Sequence, residues 1–160
     1  MKTNLLLLLT GALLVLAGCS KKDSAAPAQG HHHHAPHGGV LVELGEHQFN
    51  LEIQFDEKRG VLQAWVLDGH AENFVRIAQR EFEVQATAAD RARVLDFVAV
   101  ANTMTGETAG DTSLFEVPAE WLRTAKAFDG RIKAITVRGV TFNDVAFRFS
   151  VQDQDHGHTH

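Results

Sequence analysis

The segment "HQFNLEIQFD", His47 to Asp56, decides the fold. Phe49, Leu51, Ile53 and Phe55 alternate there with Gln48, Asn50, Glu52 and Gln54. Side chains two apart share one face of a strand, so the pattern describes a strand that buries one face and wets the other. "DEKRG" then turns the chain, with Gly60 free to take positive φ. "VLQAWVLD", Val61 to Asp68, returns as the second arm of a hairpin. Further strands are read at 82–86, 93–100, 113–117, 130–137 and 144–151, and "RGVTFN" before the last supplies a turn and a short extra strand. "PAEWLRTAKAF" breaks this rhythm. Pro118 stands at a helix-start position, and Trp121, Leu122 and Ala125 suit one apolar face, so a short helix or helical turn is expected. Seven or eight short strands between Gly, Asn and Asp turns predict an all-β, immunoglobulin-like antiparallel β-sandwich over residues 39–152. A small closed barrel is the alternative. Ten phenylalanines and two tryptophans furnish its core, and no internal repeat is visible.

The flanks read differently. "SKKDSAAPAQGHHHHAPHGG", Ser20 to Gly39, has almost no large apolar residue and cannot offset its own ordering entropy. Residues 19–38 are therefore expected to form a flexible His-rich tether, and 153–160 a disordered His-rich tail. If "VLVEL", Val40 to Leu44, is a strand, its Glu43 projects opposite to Val42 and Leu44.

Upstream lies "LLLLLTGALLVLA", Leu5 to Ala17, after a start containing Lys2. Thirteen residues are too few for a membrane-spanning helix, which needs about 20. A basic start, a short apolar core and a small-residue boundary describe an export signal, here residues 1–18. The boundary "LAGC", Leu16 to Cys19, resembles the lipobox of bacterial lipoproteins. That resemblance implies cleavage before Cys19 and acylation of Cys19 by palmitate-type chains. It also implies anchorage in the cell envelope. Ser20 after the cysteine, by resemblance to Gram-negative sorting rules, favours the outer membrane facing the periplasm. Cys19 is the only cysteine, so an internal disulfide is excluded. Loss of residues 1–18 removes Lys2 and no acid, shifting the formal charge from −5 to −6. Such a surface does not invite nucleic acid and is compatible with cations.

The ten histidines fall into three sets. His31, His32, His33, His34 and His37 lie in the tether; His47 and His70 lie in the domain; His156, His158 and His160 lie in the tail. Neutral imidazole ligates zinc, copper, nickel and cobalt. A laboratory tag explains neither the internal position of the first cluster nor the second cluster. A polar spacer is the bland natural alternative. Metal capture is the reading adopted, with zinc or copper first among the metals. His47 shares its parity with Phe49 and Leu51 and is expected at the end of the buried face, either as a ligand or satisfied by backbone. "DGHAEN" offers Asp68, His70 and Glu72 in one loop, which can equally be a turn closed by its own Asp and Asn. A hairpin of 47–55 with 61–68 would bring His47 near Asp68 and His70, and Glu43 is a further candidate ligand.

"HGGVLVELGEH" and "VLDGHAEN" resemble segments of bacterial lipoproteins and exported domains linked with heavy-metal efflux. The Gly-Gly start also resembles N-terminal stretches of some efflux adaptor proteins. The similarity covers about 40 residues near the start of the domain, and it implies a metal-related setting with efflux components as partners. Met104 could offer a thioether to copper(I), although a single loop methionine more often has no such role. No Cys pair, phosphate loop or Ser, His and acid grouping is present, so catalysis is not expected. Arg131, Lys133 and Arg138 are read as a solvated hairpin face. The expected function is capture or handover of divalent transition metal, and the rival is a protein-interaction or structural envelope module.

Overall fold

Apolar alternation produces eight strands in the computed structural model, which describes residues 34–154. They are β1 (Val40–Leu44), β2 (Phe49–Asp56), β3 (Val61–Asp68), β4 (Glu81–Ala88), β5 (Arg91–Ala99), β6 (Leu114–Pro118), β7 (Ala127–Val137) and β8 (Val140–Ser150). One α-helical turn, α1 (Leu122–Ala125), separates β6 from β7, and a 3-10 turn (Val151–Asp153) follows β8. All pairings are antiparallel, in the continuous order β1-β2-β3-β6-β5-β4-β7-β8. β4, β5 and β6 lie side by side, with β7 returning beside β4, which is a Greek-key arrangement. The two layers of the sandwich are thus parts of one sheet folded over a shared core. Leu44, Leu51 and Ile53 enter that core from the first strands, and Phe97, Ile132 and Phe149 from the later ones. β1 and β8 end the strand order, and the turn after β1 meets β8: a Cβ on Gly45 would lie 2.8 Å from the Phe142 ring.

Local chemistry sets the ends of these elements. In the β2–β3 turn the Gly60 N–H donates to Asp56 O at 2.8 Å, and the Arg59 N–H donates to the Asp56 carboxylate. Pro118 is the last residue of β6 rather than the start of a helix. It pairs with Val61 of β3 beyond the last β5 pairing, so its missing N–H costs no ladder bond. α1 is a single turn stopped by Lys126 at φ 61°. β7 and β8 both change the parity that faces the core. Phe128 and Ile132 point inward before the change, and Ile135 and Val137 after it. The change falls at Lys133 and at Asp144, which has φ 51°. The Lys133 ammonium binds the Asp144 carboxylate, so Lys133 is not simply a solvated side chain.

Two expectations need correction here. β2 does not wet its second face, because Asn50 and Glu52 are buried and Gln54 is half-buried. Residues 35–39 and the loop after β3 cover that face. The flank residues next to the domain are also built into the fold. Residues 35–38, placed in the tether by composition, form a turn in which Gly38 N–H donates to Ala35 O at 3.0 Å. Gln154, placed in the tail, is buried, and its Oε1 accepts from Phe55 N–H.

Candidate functional site

The polar residues of β2 hold the covering segments. Asn50 Nδ2 donates to the carbonyls of Asp68 and Gly69 at 3.0 and 3.1 Å. Gln54 Nε2 donates to His37 O at 2.7 Å. Between them lies Glu52, with its side chain 0% exposed. Its Oε1 accepts from the backbone N–H groups of His37 and Gly39, each at 2.8 Å, and its Oε2 lies 2.9 Å from His37 Nδ1. Gly39 is required for this approach, since a Cβ there would lie 2.6 Å from Ile53 O and 2.8 Å from Glu52 Cγ.

The His37 ring is held from a second direction. Trp65 is the cross-strand partner of Glu52, and the two rings stack at 3.9 Å between centroids and 19° between planes. Phe74 lies 5.5 Å away at 39°. Pro36 occupies the second position of the Ala35–Gly38 turn, where its fixed φ suits the bend. His37 thus has a defined orientation with its side chain 34% exposed. Composition marked His37 as a ligand, but Glu52 was missed. Its alternation with Leu51 and Ile53 reads as solvent-facing, and only the upstream Gly-Gly hints at a close approach over it.

The other candidates are distributed over the surface. His34 is exposed and borders a cleft of about 300 Å³ that is also lined by Gly38, Val40, Leu41 and Asp153. His47 sits in the β1–β2 turn at φ 54°, with its side chain 74% exposed, and not at the end of the buried face. The chain has already left the strand there. Its N–H donates to Glu43 Oε1 at 2.7 Å, and its Nδ1 lies 3.5 Å from the same oxygen. Glu43 projects outward as expected.

The hairpin register pairs Phe49 with Asp68, and a Cβ on Gly69 would lie 2.1 Å from His47 O. The backbones of the His47 and His70 turns therefore meet. Asp68 is engaged within its own loop, accepting from Glu72 N–H at 3.0 Å and Asn73 Nδ2 at 2.6 Å. Burial works to raise its pKa, but hydrogen bonds from Asn73 and from the backbone outweigh it and hold the carboxyl below its ordinary range. His70 and Glu72 are exposed on that loop. Among the described residues, no group of three or more His, Cys, Asp or Glu side chains is arranged to hold a metal ion. Cys19, His31, His32, His33, His156, His158 and His160 lie outside the described residues.

A separate polar cluster surrounds Glu107 in the β5–β6 connection. Its Oε1 accepts from Ser113 N–H at 2.9 Å and Ser113 Oγ at 2.7 Å, and its Oε2 accepts from Thr105 Oγ1 at 2.6 Å. Arg76 Nε approaches to 3.8 Å. Burial pushes the Glu107 pKa up, yet these bonds and Arg76 leave it below the usual carboxylate range. All its neighbours are accounted for by holding the connection in place. Comparison of the chain with protein-family models, curated proteins and solved structures gives no match.

Proposed function

We propose that this chain is a lipid-anchored protein of the cell envelope that captures divalent transition metal ions and hands them to efflux components. The observation that carries this reading is the convergence of its described ends. His34 and Asp153 border one cleft. His33 directly precedes His34, and His156 follows Asp153 by three residues. A residue spans at most about 3.6 Å, so imidazoles from both clusters are covalently tied to one corner of the body. Several neutral imidazoles within reach of one ion suit zinc or copper(II). Acylation of Cys19 would hold this trap at the outer membrane facing the periplasm, since each buried methylene contributes about 0.8 kcal/mol.

Ligation requires unprotonated imidazole, so affinity falls as pH drops through about 6.5. Calorimetric titration of the full chain in detergent with zinc, copper and nickel, at about pH 7.5 and 5.5, tests this. Saturable binding at the higher pH that weakens at the lower one is expected. No saturable binding at the higher pH removes the proposal. One observation favours the rival interaction module: Val94 and Val98 on the outer face of β5 are 60% and 52% exposed. Deleting 31–37 and 156–160 abolishes metal tolerance under capture and leaves the phenotype unchanged under the rival.

A further inference from the structure

Glu52 is a fully buried carboxyl whose bonds go to one short turn. Two of them, from the N–H groups of His37 and Gly39, would fasten that turn without any imidazole. The third, to His37 Nδ1, has a chemical consequence. An ionised carboxylate only accepts; opposite it, Nδ1 carries the ring proton and the lone pair of a neutral ring falls on Nε2. No hydrogen bond reaches that Nε2 among the described residues, while Trp65 fixes the ring plane. A carboxylate behind one ring nitrogen is the partner that orients a ligating histidine and raises its basicity. The ring is ordered before any ion arrives, so ligation there loses little rotamer entropy.

We infer that Glu52 is a positioning residue that presents Nε2 of His37 as the ligand atom which the folded body contributes to the captured ion. This rests on the capture reading above.

Glu52→Gln separates positioning from simple fastening. The amide oxygen still accepts the two backbone N–H groups. The amide nitrogen, however, donates to Nδ1, which moves the ring proton to Nε2 and removes the ligating lone pair. Zinc titration of the full chain in detergent is expected to show about 10- to 100-fold weaker binding for Glu52→Gln. His37→Gln should match it, and the double variant should lose no more.

Nitrogen NMR of the wild-type chain provides a readout independent of whether the variant folds. It should show a protonated Nδ1 in His37 before zinc and a displaced Nε2 resonance after it. Saturable zinc binding with an unmoved His37 Nε2, or with unchanged affinity in a folded Glu52→Gln, overturns the assignment and leaves capture standing. Absence of zinc binding to the wild type overturns both.

Discussion

A single alternation rule misread Glu52 and read Glu43 correctly. Both stand at polar positions beside apolar neighbours on short strands. They differ in what lies over them: only the exposed His47 turn beside Glu43, a turn and an aromatic pair over Glu52. That cover comes from residues distant in sequence, so local pattern cannot announce it. The same holds for Glu107, whose donors Thr105 and Ser113 converge only through the folded connection. Truncating Glu107 to Ala leaves the Ser113 N–H and two hydroxyls without their acceptor. A buried donor left unmade costs about 1–3 kcal/mol, so a fall in stability of that size is expected from urea unfolding. An unchanged midpoint would mean that water replaces the carboxylate without loss.

The strands were legible where a period of two survives, as in the apolar residues of β2 and β4. Turn chemistry was legible where glycine or asparagine marks it. The β4–β5 hairpin carries no such mark. Its two turn residues, Ala89 and Asp90, have φ 46° and 63°, the primed-turn geometry that suits Asn-Gly. A left-handed conformation costs a side-chain-bearing residue about 1–2 kcal/mol. Ala89→Asn with Asp90→Gly is therefore expected to raise stability by about 1–2 kcal/mol, read as a higher urea midpoint with the same m-value. A lower midpoint would show that this turn is not strained. The parity change at Lys133 and Asp144 was hidden for a related reason. Ala134 between Ile132 and Ile135 keeps an apolar residue at either parity, so the sequence does not say which one faces the core.

Across the whole molecule, strand content was predictable but strand order was not. Which runs neighbour each other in a Greek key depends on pairings such as β3 with β6, and these leave no local trace. Acid sensitivity is also a whole-molecule property. The bidentate Arg59 contact, at 2.7 Å to each oxygen, lowers the Glu116 pKa, which joins Glu107 and Asp68 below the ordinary carboxylate range. For each group the unfolded chain binds its proton at higher pH than the folded one. Their stabilisation is complete above the unfolded value of about 4 and is lost as pH falls through the lower folded values. Urea midpoints should accordingly hold level from these groups down to about pH 5 and decline below about 4. A midpoint that rises on acidification would contradict the assignment.

The shared cleft of His34 and Asp153 means that the covalent order of this chain is partly arbitrary. A short linker can join the two described ends, and the polymer can be reopened at the loop around Met104, which is 95% exposed. In such a circular permutant both runs of imidazoles would belong to one internal stretch, and neither would depend on a free terminus.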